Sequence, residues 1–599
     1  MKKQYIYIFA LCACISNTVD GNAQSAKDST LNRELLLEKE YNPIVRDANK
    51  INKLPAVEAP KANKTKIVYS DYSTFASSKN QINNLQAGSI MSDYEFSKKF
   101  GYITLGGGNL LNLTGNLGIK MLNNDNNVLG IEVSHNSTNG NVDYTDNIKS
   151  LSRTDDTKLK INDNLVNLFY KGYFNSFNLS TNLSYQYNRF NYYGWRESFL
   201  EIAPPALMED PAMQTNQRIN FDIAANTSVN SPIKYEGNLG FSMFKMDEPG
   251  INELTVNLGG GFSTRLNSEN WRFGFKAGMK GVLYSGDYYN IDSFENIGKV
   301  ELLPSFIYDN EDYVKAELGV KADYAFGVGP HIGIAPDVNF DWQFVDNFFL
   351  YSTIKGGIDV KTINNITNFC RYYNQYGNLN KNPYTLADWT LGFRSNAVNG
   401  FWFDIYGGLS HTLNEFSFQS MIESQYDSSK GIIAGKNYLS SFSEDVTKYK
   451  IGTLLKYDYG STLGLSLKLQ KNGWSTESKE ALSYAPGFEA VFNAVLRPIK
   501  QLVFNVNYNM FAQRKARIGI HRSESSNSSD PSIEIVDEFK YSIVDLDNVN
   551  DLSIKASWLF NNTFSIYASM NNLAISKYDI WYGMPNQGFN FLVGGTIQF

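Results

Sequence analysis

Cysteine is nearly absent from this 599-residue chain. The three cysteines are Cys12, Cys14 and Cys370, and the first two lie in the first 24 residues. If that segment is removed on export, Cys370 has no partner, which excludes an internal disulfide.

The residues that usually form catalytic or metal centres are also few. The four histidines stand far apart, without metal-ligand spacing, at His135, His331, His411 and His521. The Gly-Gly-Gly runs at 106–108 and 259–261 have no phosphate-loop lysine, and no nucleophile motif is present. We therefore expect no enzyme activity, no cofactor and no metal; dispersed catalytic residues are the weaker alternative.

Charge and long apolar runs are scarce as well. Charged residues make up 19% of the chain and the net charge is −6, which argues against a nucleic-acid partner. Past the N-terminus no apolar run approaches the ~20 residues of a membrane helix. Yet the chain has 38 Tyr and 39 Phe at a mean hydropathy of −0.33. This mixture is typical of membrane β-barrels, in which only alternate residues face lipid.

The N-terminus has the pattern of an export signal. Lys2 and Lys3 precede the apolar stretch "YIYIFALCACI", and "NAQ" (22–24) resembles a small-residue cleavage site. We expect residues 1–24 to be a signal peptide. The alternative is a lipoprotein box, "LCAC", with Cys14 as the lipidated residue.

From about Gly101 to Phe599, apolar and polar residues alternate in segments of about ten residues. Leu463, Leu465, Leu467 and Leu469, for example, alternate with small or polar residues. The final segment alternates in the same way and ends on Phe599. The pattern predicts an all-β fold: a closed, antiparallel transmembrane β-barrel.

The turns between these segments fall into two classes. Short turns are predicted at 123–127, 231–234, 267–270, 309–312, 345–347, 398–400, 497–500 and 560–562. Long loops are predicted at about 138–160, 193–216, 286–297, 359–385, 413–447, 471–483 and 514–548. Because short turns face the periplasm in outer-membrane barrels, this pattern predicts about 22 strands, an even number, with both termini periplasmic.

The last strand has a special role in such a barrel. It must pair with the first, because an open sheet edge cannot exist in lipid. Its aromatic end, Phe599, is expected to lie at the membrane interface and to be the mark by which the barrel-assembly machinery recognises the chain. The alternative is an edge strand of a soluble sandwich.

The C-terminus resembles that of TonB-dependent receptors. The matching positions are Asn572, Leu573, Tyr578, Tyr582, Pro585, Gly588 and Phe599. The resemblance implies a large outer-membrane barrel over about residues 100–599, with a receptor or transport role. With the "NAQ" context, it also suggests a Bacteroidetes-type protein.

The N-terminal part departs from that family, whose members carry a globular plug of ~130–150 residues in the lumen. Residues 25–100 are too few for this plug, and with Pro43, Pro55 and Pro60 they predict an extended periplasmic leader. Part of 41–75 is expected to lie inside the barrel, as a partial lumen filler, or against its periplasmic mouth, with Tyr69 and Tyr72 packing on polar lumen residues.

One stretch of the leader, Glu34, Leu35, Leu36, Leu37 and Glu38, resembles a TonB box, which would pair with TonB by strand addition. The alternative is a plain leader without this role.

The predicted external loops are rich in aromatic residues next to Asn, Gln and Arg. Trp195, Tyr372 and Tyr373 are the candidate contacts for a ligand or partner. The alternative is that such residues belong to the aromatic girdle at the membrane interface.

Two functions remain. In the first, the barrel is a receptor or transporter that uses TonB. In the second, it is a non-transporting subunit or scaffold of a larger outer-membrane assembly or export complex. Outer-membrane lipid and the assembly machinery are expected partners in both, and surface lipoproteins are expected in the second.

Overall fold

The computed structural model describes residues 99–599 with gaps at 125, 150–154, 195–212, 228–232, 249, 267–269, 287–294, 311–312, 375–380, 399, 428–430, 479–481 and 526–537. The predicted signal peptide, Cys14, the leader up to residue 98 with Glu34–Glu38, and Trp195 lie outside the described residues.

Alternating segments form strands throughout. The first ten are β1 (Gly101–Gly108), β2 (Leu113–Asn123), β3 (Asn127–Asp143), β4 (Asp156–Tyr173), β5 (Phe177–Asn191), β6 (Met213–Thr227), β7 (Ile233–Met246), β8 (Ile251–Arg265), β9 (Trp271–Ser285) and β10 (Ile297–Asn310). The next nine are β11 (Val314–Phe326), β12 (Ile332–Val345), β13 (Phe348–Ile358), β14 (Tyr384–Val398), β15 (Phe401–Asp427), β16 (Gly431–Tyr459), β17 (Leu463–Thr476), β18 (Phe488–Ile499) and β19 (Leu502–Ala512). The last seven are β20 (Arg514–Ser525), β21 (Glu538–Leu546), β22 (Val549–Leu559), β23 (Phe564–Asn571), β24 (Asp579–Trp581), β25 (Met584–Pro585) and β26 (Asn590–Gln598).

The strands close into one antiparallel barrel of 22, as predicted. Neighbours along the chain pair from β1 to β19; β19 then pairs with β22, β22 with β23, and β23 with β26. Strand β26 returns to β1, with Thr104 opposite Thr596. At the join, the Phe599 carbonyl accepts from the amides of Phe100 and Gly101 at 2.7 and 3.0 Å. The described start of the chain and its C-terminus therefore lie side by side.

Four strands lie outside the wall. The hairpin of β20 and β21 attaches to the far end of β15, where β20 runs parallel to residues Ser420–Asp427. The strands β24 and β25 form a small hairpin of their own. Two short helices, α1 (Asp146–Lys149) and α2 (Ile363–Phe369), lie in connections between wall strands. Neither of these two, nor any other helix among the described residues, has the length and apolar character for crossing a membrane.

The strand period of two gives the wall an apolar outer face and a polar lumen face. On β26, Val593 and Ile597 are exposed on the outside, whereas Leu592 is buried on the other face. On β5, Leu183 and Tyr185 are exposed outward, whereas Ser184 lies between them on the lumen side. A surface with exposed large apolar side chains on one face of every wall sector is what a bilayer covers.

Among the described connections, the short ones between β12 and β13, β18 and β19, and β22 and β23 lie at the barrel end that holds the described start of the chain and its C-terminus. Two predicted loops differ from expectation: most of 413–447 and of 514–548 is strand. The reason is that β15 and β16 continue past the wall as a pair, and β15 gives its other edge to β20. Their backbone hydrogen bonds are satisfied by these partners, so the polar residues there do not need to form loops.

Candidate functional site at the long-loop end

The connection from β13 to β14 folds into the barrel instead of outward. We call residues 359–374 the inner segment. It contains α2, which begins after the N-cap Thr362, whose side chain accepts from the Asn365 amide at 3.1 Å. One face of α2 is buried, with Ile363, Asn364, Ile366 and Thr367, and the other face is exposed. The buried face packs against wall residues such as Phe244 and Val282.

The wall holds α2 with two charged side chains from the lumen face. Glu253 of β8 accepts from the Asn364 amide at 3.0 Å, which places a carboxylate at the positive end of the helix. Arg218 of β6 donates to Asn364 Oδ1 and to Thr367 Oγ1, each at 2.8 Å. Both charged side chains are almost fully buried, so losing their partners would leave costly unpaired charges.

The start of the inner segment is held by the next wall strands. Lys299 of β10 donates to the Ile358 carbonyl and Lys280 of β9 donates to the Val360 carbonyl, both at 2.9 Å. Asp323 of β11 accepts from the Ile358 amide at 2.7 Å. These bonds satisfy the Ile358 amide and carbonyl and the Val360 carbonyl, which allows the backbone to leave β13 and enter the lumen.

The end of the segment is joined to the wall by an ion pair. Arg371 donates through both terminal nitrogens to Asp163 of β4, each at 2.9 Å. Asp163 also accepts from Asn188, and Asn188 accepts from Arg218. A continuous polar network thus runs from β4 to α2, and bidentate geometry makes it specific for this position of the segment.

On the opposite side the segment reaches β15 and β16. The Asn374 amide donates to the Leu439 carbonyl at 2.8 Å, and the Leu439 amide donates to the Tyr372 carbonyl at 3.0 Å. Phe369 stacks on Phe418 of β15 with ring centroids 5.4 Å apart. The inner segment therefore spans the barrel mouth from β4–β11 to β15–β16.

A second segment, residues 572–589 between β23 and β26, joins this arrangement. Trp581 contacts the rings of Phe369 and Phe418, with centroids 6.3 and 5.6 Å away. Arg514 donates to the carbonyls of Asp579 and Ile580 at 3.0 and 2.8 Å. We call the inner segment and residues 572–589 together the mouth layer. Wall residues such as Phe190 complete its buried core.

The two described candidate contact residues lie inside this layer. Tyr372 and Tyr373 are 7% and 1% exposed, and Tyr372 packs edge-on against Phe190. Burial raises the pKa of both phenols above the ordinary tyrosine value. Burial also raises the pKa of the neighbouring Cys370 thiol to about 12, which keeps it protonated and unreactive. The proposed ligand role of the two tyrosines stays a prediction, and in this arrangement neither ring is open to the lumen.

Sequence reasoning missed the residues that hold the layer together, namely Arg218, Glu253, Asp163 and Arg371. A lone Arg or Glu in an alternating strand has no local pattern, because its partner is distant in sequence. No three His, Cys, Asp or Glu side chains converge as metal ligands within the part of the chain described above.

Asp579, inside the mouth layer, is expected to make the stability of this layer depend on pH. Burial, and then the charge of Asp547, raise the pKa of Asp579 to about 6, although Gly583 donates to its carboxylate at 2.8 Å. A carboxyl with a raised pKa in the folded state contributes stability below its unfolded pKa near 4, and that contribution is lost as the pH rises through about 6.

We therefore expect residues 578–586 to open more readily at pH 7.5 than at pH 4, by up to about 3 kcal/mol for two pK units. Amide hydrogen exchange of this segment between pH 4 and 8, corrected for intrinsic rates, measures it. The Asp579→Asn variant should lose the dependence. Equal protection of the wild type across that range would contradict the assignment.

The fold is similar to solved outer-membrane receptors. The siderophore receptor PirA from Acinetobacter baumannii superposes with a TM-score of 0.61 at 11% identity, over 84% of this chain and 81% of that one. The ferric enterobactin receptor PfeA from Pseudomonas aeruginosa, in complex with enterobactin, gives 0.60 at 10% identity, over 84% and 82%. The ferric-catecholate import receptor Fiu from Escherichia coli K12 gives 0.54 at 9%, over 84% and 82%. No protein-family model matches the sequence, and no curated protein sequence matches it.

Proposed function

We propose that this chain is an outer-membrane barrel with a receptor or transport role, in which the lumen is the route and the mouth layer is its outer closure. The observation that carries the proposal is the fastening of the inner segment. It crosses the mouth of a 22-strand barrel, and the lumen of a barrel of this size is wide enough to pass solutes unless something fills it.

The lumen face of the wall supports a route for polar solutes. Its side chains include paired charges, such as Lys299 with Glu301 at 2.8 Å and Lys468 with Glu489 at 2.9 Å. Tyr351 donates to Asp404 at 3.0 Å on the same face. A polar, hydrated inner surface behind an apolar outer face is the arrangement of channel-forming barrels.

In this proposal the short-turn end faces the periplasm, with both termini there, and the leader 25–100 lies below or partly within the lumen. Glu34–Glu38 would then be within reach of TonB. Fold likeness to siderophore receptors supports a receptor role and does not name a ligand for this chain. The Bacteroidetes-type origin and the signal peptide belong to the same proposal.

The experiment measures, in the native cell, both contact of this chain with TonB and uptake of a solute. A photo-crosslinking amino acid at Leu36 should capture TonB, and deleting residues 30–40 should abolish uptake of the solute whose growth phenotype the gene deletion reveals. A crosslinker at Ala56, outside the box-like stretch, is the matched control. If Leu36 captures no TonB and no solute phenotype appears, while surface lipoproteins are lost with the barrel, the scaffold function replaces the transport function.

A further inference from the structure

The lumen face of the wall is unevenly charged. Each strand from β10 to β15 carries ionised side chains there, such as Glu301, Lys321, Asp337, Lys355, Arg394 and Asp404. From β17 through β26 to β3, two rows of neutral amide and hydroxyl side chains cross the same face. We propose that these neutral rows are the docking surface for residues 76–98, the part of the leader nearest to the barrel. This inference rests on the proposed function, in which the leader lies below or partly within the lumen.

The first row follows the strand register across six strands. Row one consists of Ser466, Asn493, Asn507, Ser553, Asn571 and Asn590, one on each strand from β17 to β26 in wall order. Asn493 donates to Ser466 Oγ at 3.3 Å, and Asn571 donates to Asn590 Oδ1 at 2.7 Å. These bonds use only part of what an Asn side chain offers, which is two N–H donors and a carbonyl oxygen with two lone pairs.

The second row crosses the join between the first and last wall strands. Row two consists of Ser565, Thr596, Thr104, Asn116 and Ser134, on β23, β26, β1, β2 and β3. Leu105 beside Thr104 and Ile566 beside Ser565 are exposed on the outside of the barrel, as is Met570 beside the row-one residue Asn571. Because strand side chains alternate, both rows lie on the lumen face.

Charged side chains of the same strands lie beside the rows and not within them. Those on the lumen face are Lys120, Glu132, Lys468, Glu489, Asp551 and Lys555. Lys468 pairs with Glu489 at 2.9 Å, and Asp551 accepts from Ser553 at 3.0 Å. Each row is therefore neutral along its whole length.

The leader joins the wall at one end of row two. Lys99 Nζ donates to Thr563 Oγ1 and to the Gln598 carbonyl, each at 3.1 Å. Thr563 is two residues from Ser565, and Gln598 is two residues from Thr596. Row two crosses five strands, which is about 19 Å at a spacing of about 4.8 Å, and about six extended residues cover that distance. The residues just before Lys99 can thus lie along row two, and earlier ones can reach row one.

The chemistry of the rows suits an extended chain of this composition. Residues 76–98 contain five Ser, three Asn and two Gln, against two Lys, one Asp and one Glu. An extended chain must pair its peptide N–H and C=O groups, and neutral amides and hydroxyls can donate to them or accept from them. The charged half would lose ion pairs such as Lys321 with Glu301, at 3.3 Å, if it made the same contacts.

Disulfide crosslinking in intact outer membranes tests the docking surface. In a Cys370→Ser background, the pair Ser92→Cys and Ser134→Cys should form a disulfide, because Ser92 is seven residues before Lys99 and Ser134 is the far member of row two. The matched control is the pair Ser92→Cys and Lys355→Cys, which should not crosslink. Ser134 and Lys355 are each seven residues from the first residue of their strand, but Lys355 lies in the charged half.

A second measurement does not depend on one cysteine pair. In the purified full-length protein, trypsin should cleave after Lys79 about 30-fold faster in the variant Asn116→Leu, Ser134→Ala than in the wild type, which is about 2 kcal/mol for the hydrogen bonds lost. The control variant Asn339→Leu, Ser305→Ala makes the same two changes on the lumen face of β12 and β10 and should be cleaved at the wild-type rate. Heat-modifiable gel mobility shows that both variants are assembled.

Equal crosslinking of the two cysteine pairs would overturn the proposal, and so would cleavage after Lys79 at the wild-type rate in the Asn116→Leu, Ser134→Ala variant. Loss of solute uptake in that variant, with cleavage unchanged, would also overturn it, because the rows would then bind the solute. These results leave the proposed function standing, since capture of TonB at Leu36 and uptake are measured separately. A chain that shows the 92–134 crosslink and takes up no solute keeps the docking surface and loses the transport role.

Discussion

Replacing residues 361–381 by a short Gly-Ser linker is expected to give the barrel a large, stable conductance in a planar bilayer. The replacement removes α2 and Arg371, and with them every contact that carries the inner segment across the mouth. The wall should persist, because each of the 22 strands keeps both of its neighbours. The wild-type protein should stay in a low-conductance state under the same voltage.

Point variants sharpen this comparison. Arg371→Ala breaks the bidentate pair with Asp163 and should raise the frequency of brief openings, because the inner segment then loses its contact with β4. Arg394→Ala removes a similar wall ion pair, with Asp341 on the lumen face, without touching the layer, and should behave like the wild type.

The leader gives a second, separable contribution. A variant without residues 30–80 tests the expected lumen filler, and combining it with the loop replacement tests whether the two act in series. If the loop replacement alone leaves the conductance at the wild-type level and only the combined variant opens, the leader closes the lumen. If neither opens it, the mouth layer is not the closure and the transport route is wrong.

Deleting residues 590–599 is expected to reduce the assembled protein in the outer membrane to near background. Strand β26 pairs with both β23 and β1, so its loss leaves two open edges in the wall. Each unpaired backbone group in hydrocarbon costs several kcal/mol, a sum no other contact in this fold offsets. Heat-modifiable gel mobility and surface labelling measure the effect.

The terminal aromatic can be tested by itself. Phe599→Ala keeps the backbone bonds of the join and should lower the assembled amount by a smaller factor, through weaker recognition by the assembly machinery. Phe591→Ala, an outward aromatic on the same strand with a similar exposed area, is the matched control and should assemble normally. Equal yields of the two variants would show that the last residue has no special role.

The wall could be predicted from the sequence because each strand carries its own alternation of apolar and polar residues. The two-residue alternation of segments such as Leu463–Leu469 is imposed by two solvents, lipid outside and water inside, and it repeats in every strand. The division into short turns and long loops could be predicted from the spacing of the same alternating segments. The extensions of β15 and β16 were missed because they lie beyond the lipid, where alternation no longer has to be apolar and polar.

The mouth layer could not be predicted, because its contacts join distant parts of the chain. Arg218 and Thr367 are 149 residues apart, and Arg371 and Asp163 are 208 apart. Residues 368–378 are rich in aromatic side chains, yet the sequence alone does not show which of them are buried. In the structure Tyr372 and Tyr373 are buried, whereas Phe369, in the same part of the inner segment, is 41% exposed.

The central claim is a single closed barrel in which the first and last wall strands are joined, and a disulfide across the join tests it most directly. Thr104 and Thr596 are opposite each other, with their hydroxyl oxygens 2.8 Å apart. In a Cys370→Ser background, cysteines at 104 and 596 should crosslink in intact outer membranes and give a ring-closed chain with altered mobility on non-reducing gels. The pair 104 and 565, one strand further apart, should not crosslink, since Ser565 is opposite Thr596. Absence of the 104–596 crosslink in assembled protein, or equal crosslinking of the control pair, would contradict the closed barrel.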